Sequence, residues 1–194
     1  MHALMRRLRR SQRGFSLTEL AVVMAIVAIL LAIGVPNYRY ITNSYRMSAE
    51  VNGLLGDLQF ARGEAIKEGQ TVTACVSRDG ATCDAGSTTW QEGWLVFQDL
   101  NNDQTVDPGD TVLHVQQPFS GTDTFISSNG VSAVTFNREG FAVAAGGFGG
   151  TTLTLHETSA NAAWTRCLYV SAVGLMATET PTSLALNAPP GSCT

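Results

Sequence analysis

Basic residues are nearly missing from most of this chain. From Thr71 onward only Arg78, Arg138 and Arg166 carry positive charge, against 11 acids, a balance of about −8. A surface of that sign repels phosphate backbones, so nucleic-acid binding by this region is disfavoured. Signatures of catalysis are missing too: there is no G-x-S-x-G, no H-E-x-x-H and no phosphate-binding loop. The stretch "GFAVAAGGFGG" is rich in glycine but lacks a following helical pattern, and reads as a turn between strands. No C-x-x-C occurs, and His114 and His156 stand at no metal-ligand spacing. No cofactor is therefore expected, and the chain is not read as an enzyme. No long internal repeat is visible, and no segment reads as a disordered linker.

Charge is absent for another reason between Leu20 and Val35, where no charged or strongly polar residue occurs. Five of the 12 basic residues precede this run, at Arg6, Arg7, Arg9, Arg10 and Arg13, with no acid among the first 13 positions. That is the layout of an export signal. One reading is a secretory signal cleaved near Ala32–Gly34. Another is a signal anchor: the 21 residues Phe15–Val35, if helical, span about 32 Å, enough for a bilayer. The arginines would then stay in the cytoplasm and the rest of the chain outside. Neither reading accounts for Glu19, a carboxylate just inside the apolar run. A charge in hydrocarbon costs about 2.5–3.5 kcal/mol on insertion scales.

Beyond Val35, Pro36 removes an amide donor and predicts a kink. Val51, Leu54, Leu55, Leu58, Ala61, Ala65 and Ile66 then follow the spacing of an amphipathic helix, with Glu50, Asp57, Arg62, Glu64 and Lys67 as its solvated face. Gly69 is the expected C-cap. From Thr71 the period becomes two, and eight strands are expected: "TVTACVS", "GWLVFQD", "TVLHVQQ", "TFISS", "AVTFN", "FAVAA", "TTLTLHE" and "RCLYVSA". The fold class is α+β, a long N-terminal helix packed on an antiparallel sheet domain. Trp90, Trp94 and Trp164 lie in or near strands and are read as core.

Four cysteines, Cys75, Cys83, Cys167 and Cys193, accompany the export-like N-terminus and point to disulfides in an oxidising compartment. Cys75 and Cys83 flank a plausible turn, which favours Cys75–Cys83 with Cys167–Cys193, although four cysteines allow three connectivities. In "DLNNDQTVDPGD", residues Asp99, Asn101, Asp103, Thr105, Asp107 and Asp110 are spaced like the ligands of a calcium loop. Gln104 stands where such a loop wants glycine, Asp110 replaces a bidentate glutamate, and the flanks are strands. The competing reading is a polar hairpin loop.

"GFSLTEL" following "RRSQRG" resembles the class III signal of type IV pilins and type II secretion pseudopilins. The matching residues are Gly14, Phe15, Leu17, Thr18, Glu19 and Leu20. The resemblance implies that a prepilin peptidase cuts between Gly14 and Phe15 and that Phe15 is then N-methylated. It divides the chain into a leader (1–14), a transmembrane or filament-core helix (15–35), an amphipathic half (36–68) and a β domain (71–194). It also implies that Glu19 neutralises the new N-terminus of a neighbouring subunit during assembly. Removing one partner of such a buried pair costs about 3–5 kcal/mol.

The order "LQFARGEAIKEGQTVTACVS", "WQEGWLVFQDLNNDQTVD" and a late "RCLYVSAVG" resembles the GspH/FimT-type domain of minor pilins and pseudopilins. The implied role is a structural subunit that initiates or joins the tip of a type IV pilus or a type II secretion pseudopilus. Its implied partners are other minor subunits, the major subunit, the prepilin peptidase and the inner membrane, and its implied site is a single-pass anchor with a periplasmic domain. DNA-uptake members of the family carry a Gly-Arg-x-Arg motif, but this sequence reads Gly174-Leu175-Met176-Ala177 there. The alternative of a DNA-binding minor pilin for transformation thus lacks both arginines.

Overall fold

A computed structural model describes residues 14–144, 147–159, 161–181 and 193. The chain divides into two compact units, the first ending at Thr42 and the second beginning at Asn43. A single helix, α1 (Leu17–Glu68), contributes to both and runs without interruption through Pro36, where the sequence predicts a kink. At its far end the Gly69 amide donates to the Ala65 carbonyl at 3.0 Å with φ +69°, the left-handed conformation that glycine adopts without strain.

In the first unit the helix is bare. Its apolar side chains are exposed from Phe15 through Ile41.

In the second unit α1 forms one wall of the core. Met47, Val51, Leu54, Leu58, Ala61 and Ala65 are buried at spacings of three and four, which places them on one face. They pack with two antiparallel sheets. The five-stranded sheet comprises β1 (Val72–Val76), β2 (Trp94–Gln98), β3 (Thr111–Gln116), β5 (Ala133–Phe136) and β6 (Ala142–Val143), in the order β3-β2-β1-β5-β6. The four-stranded sheet comprises β4 (Thr124–Ser127), β7 (Thr151–His156), β8 (Arg166–Val170) and β9 (Met176–Glu179), in the order β4-β7-β8-β9.

β1 is buried along its whole length because both its faces are covered. Val72, Ala74 and Val76 join the helix-side core with Trp94, Phe125, Phe136, Leu153 and Leu168. Cys75 points the other way, into a second cluster with Leu95 and Phe97. The alternation follows the two-residue period of a strand. A main-chain bond ties β6 to the turn between β8 and β9, where the Ala142 amide donates to the Ala172 carbonyl at 3.0 Å.

Several sequence expectations need correction. β9 was not expected, since Met-Ala-Thr-Glu carries little strand propensity; it forms by pairing with β8 in the register Val170↔Met176 to Cys167↔Glu179. "FAVAA" yields only the two-residue β6. Ile66 is exposed rather than core, and Leu55 is partly buried at the margin. Glu50, Asp57 and Arg62 are not a free solvated face. Asp57 accepts the Trp94 indole N–H at 2.8 Å, Arg62 Nε donates to the Gly140 carbonyl at 2.9 Å, and Glu50 is half-buried. All three flank the apolar stripe, where a long side chain reaches over the margin onto the sheets. Trp90 and Trp94 are fully buried, whereas Trp164 is only partly so.

Candidate functional site

The N-terminal turn of α1 carries most of the sequence-predicted site. Ser16 is its N-cap: Ser16 Oγ accepts the Glu19 amide at 3.2 Å, and the Ser16 carbonyl accepts the Leu20 amide at 3.1 Å. Ser-Leu-Thr-Glu is thus a capping-box pattern, with Glu19 at its third helical position, where a carboxylate also meets the positive end of the helix dipole. Sequence reasoning missed this local role, although the S-x-x-E spacing signals it. Gly14 and Phe15 precede the helix in non-helical conformation. Phe15 is 79% exposed and Leu17 84%. The leading arginines Arg6, Arg7, Arg9, Arg10 and Arg13 lie outside the described residues.

The helix that follows is long and apolar enough to cross a membrane, and none of its most apolar window is buried within the chain. A contiguous apolar surface of this size is not stable in water and needs lipid or other apolar helices around it.

Both favoured cysteine pairs are present, Cys75–Cys83 and Cys167–Cys193. The first closes a loop that Asp79 organises. Asp79 Oδ1 accepts the amides of Ala81 and Thr82, each at 2.8 Å, and its other oxygen accepts the Thr82 hydroxyl at 2.7 Å. These donors, the Ala81 amide foremost, hold its carboxyl well below the usual carboxylate range. The second disulfide ties Cys193 to β8; the rest of "NAPPGSCT" lies outside the described residues.

The oxygen-rich loop between β2 and β3 is bonded to itself. Buried Asp99 accepts the amides of Asp103 and Gln104 at 3.1 and 3.0 Å and the Thr73 hydroxyl at 2.8 Å. Asp103 accepts the Thr105 amide, and Asp110 accepts those of Leu100 and Asp107. Asn101 donates to both Asp103 and Asp107. Gln104, at the position where a calcium loop has glycine, adopts φ +63° all the same, anchored by a side-chain bond to Thr135 at 3.1 Å. Among the described residues no three acidic, histidine or cysteine groups converge as a metal site would require.

The place of the Gly-Arg-x-Arg motif is a turn. Gly174 has φ +76°, and a Cβ there would lie 2.1 Å from the Gly140 carbonyl, so both backbone conformation and packing require glycine. Leu175 is 61% exposed and Met176 packs on the core. The second unit's basic side chains are already engaged. Arg46 pairs with Asp123, Lys67 with Glu64 and Glu68, Arg78 with Glu92 and Arg138 with Glu139. Arg62 bonds Gly140, and Arg166 bonds Ser44 and Ser48.

Comparison with known proteins agrees with this geometry. A family model described as type II transport protein GspH matches residues 50–174, and one described as the prokaryotic N-terminal methylation motif matches residues 9–35. Two fimbrial proteins of Pseudomonas aeruginosa are each 33% identical over 79 residues, or 41% of this chain and 51% of theirs. The chain spans about half the length of these relatives. Its fold is similar to that of the type IV minor pilin FimU of P. aeruginosa. In one crystal form the TM-score is 0.52 at 20% identity, covering 81% of this chain and 99% of that one. In another it is 0.50 at 22% identity, covering 77% and 99%. At such identity the likeness is one of fold.

Proposed function

This chain belongs to the GspH family, and on that premise we propose that it is a minor pilin or pseudopilin, a structural subunit that initiates or joins the tip of a filament. Its work in this reading is assembly rather than catalysis. The observation that carries it is the division of labour within α1: the first half exposes every large apolar side chain, while the second half is a wall of the β-domain core. Such a helix is kept, not discarded, and its bare half is suited first to a membrane and then to the packed helices of a filament.

Processing between Gly14 and Phe15, with methylation of Phe15, fits the non-helical segment ahead of the Ser16 cap and the matched methylation motif. Cleavage there creates an ammonium four residues from Glu19. A neighbouring subunit's glutamate is the natural counter-ion for that charge in low dielectric. The partners are other pilin or pseudopilin subunits and the prepilin peptidase, and the precursor sits in the inner membrane with its β domain in the periplasm. DNA binding is not supported, because the two motif arginines are Leu175 and Ala177 and the domain's cations are internally paired.

Two experiments test the reading. Mass analysis of the purified protein is expected to find methylated Phe15 at its start; a start near Val35 overturns it. A chromosomal deletion scored for twitching and for secreted enzyme is expected to lose one of the two, and the one lost tells pilus from secretion system.

A further inference from the structure

Asp123, the residue before β4, is 3% exposed, and it and Glu50 each hold one buried carboxylate oxygen without a hydrogen-bond partner. Its Oδ1 accepts Arg46 Nη2 at 3.2 Å, whereas Oδ2 has no hydrogen-bond partner. Glu50, one helical turn beyond Arg46 on α1, feels the charges of both Arg46 and Asp123, and its Oε2 is likewise buried and unpartnered. Two ionised carboxylates here would leave two dry lone pairs and set two negative charges against one half-exposed guanidinium. A metal ion is disfavoured by Arg46 itself. Space is short as well: a Cβ on Gly121 would already stand 3.3 Å from Arg46 Nη1 and 3.6 Å from Asp123 Oδ2. The cation that satisfies both oxygens without displacing anything is a proton.

We propose that Glu50 and Asp123 share one proton, and that this carboxyl–carboxylate hydrogen bond is a pH-sensitive latch fastening α1 to the strap of residues 117–123 that leads into β4. Burial first, and the Asp123 charge second, push Glu50 up from 4.5 to about 7, with Arg46 opposing. Among the described residues, Arg46 is the only cation whose charge opposes this shift. On the β2–β3 side Glu50 is lined by Trp94, Gln116 and Phe119, which do not carry charge. Asp57, further along α1, faces His114 of β3, and Glu157, just after β7, engages Asn43 and Ser159. Because the folded form holds its proton above the unfolded value, the latch contributes fully below 4.5, weakens as pH rises between 4.5 and about 7, and is open above that. Amides in the strap and at the start of β4 report its state, since Phe119 donates to the Gln91 carbonyl at 2.9 Å and Phe125 to the Gln91 side chain at 2.8 Å.

The test uses the full chain in detergent micelles with 13C-labelled glutamate carboxyls. The resonance missing from Glu50→Gln is expected to titrate with a midpoint of about 7; a midpoint near 4.5 overturns the proposal. Hydrogen exchange at the Phe119 and Phe125 amides, corrected for intrinsic base catalysis, is expected to lose protection between pH 4.5 and about 7. In Glu50→Gln, whose amide donates to Asp123 without titrating, the profile is expected to be flat. An unchanged loss in that variant, or a flat wild-type profile, refutes the latch. Should Glu50→Gln fail to fold, Asp123→Asn supplies a donor from the other side and must flatten the profile too.

Discussion

The indole N–H of Trp94 on β2 donates to Asp57 Oδ2 on α1 at 2.8 Å, and the ring that carries it is fully buried. His114 Nε2 on β3 lies 3.5 Å from the same oxygen, so one carboxylate joins the helix to two adjacent strands. Asp57→Ala strands the indole donor and is expected to lower stability by about 1–3 kcal/mol. Chemical denaturation followed by tryptophan fluorescence reads this directly; an unchanged midpoint would mean that water replaces the carboxylate at no cost.

Glu19 has two candidate jobs, and three substitutions separate them. Ser16→Ala removes the cap and is expected to weaken the first turn by about 1 kcal/mol while leaving processing and filament entry intact. Glu19→Gln keeps the side chain's length and a polar tip but loses the charge, and is expected to be cleaved yet excluded from filaments. Glu19→Ala is expected to behave like Glu19→Gln in filament incorporation. Normal incorporation of Glu19→Gln would confine the residue to its capping role.

Leu58 lies at the centre of the α1 face and is fully buried against both sheets. Leu58→Ala is expected to cost about 2–5 kcal/mol. Ile66→Ala, at an exposed position of the same helix, is expected to cost well under that, within about 0.5 kcal/mol for an ordinary surface substitution. Thermal unfolding of the pair checks the corrected boundary of the core.

Cys167–Cys193 spans 26 residues of sequence and Cys75–Cys83 only 8. On chain-entropy grounds the longer closure restricts the unfolded state more, by about 1 kcal/mol. Paired Cys→Ser variants, compared by denaturant midpoint, are expected to rank in that order; the reverse ranking would show that the Asp79 turn, rather than loop length, governs the smaller bridge.

Asp79 is held ionised by the amides around it, so its contribution is present above its unfolded value of 3.8 and fades as pH falls below it. Asp79→Asn keeps an acceptor but not the charge. Its stability relative to wild type is therefore expected to improve on acidification below about pH 4, as read in parallel thermal melts.

Much of this architecture is legible in residue order. The apolar run, the helical spacing from Val51 to Ala65 and the two-residue alternation from Thr71 identify the helix and the expected strands because each buries one regular face. What escapes has a common cause: it depends on partners distant in sequence. Met176–Glu179 becomes a strand only because β8 is beside it. Asp57 and Arg62 look solvated on a helical wheel, yet each finds its partner more than 30 residues away. Ser16 is the exception, a purely local signal left unread beneath a more specific motif.

α1 ends at Glu68 and β1 begins at Val72, with Gly69 making the turn between them. β1 is the middle strand of its sheet, hydrogen-bonded on one side to β2 and on the other to β5. A pull on the helix therefore reaches the β domain through the buried face of α1 and through the middle strand of the five-stranded sheet. Load that reaches this strand meets hydrogen-bonded neighbours on both sides, whereas load on an edge strand meets them on one side only.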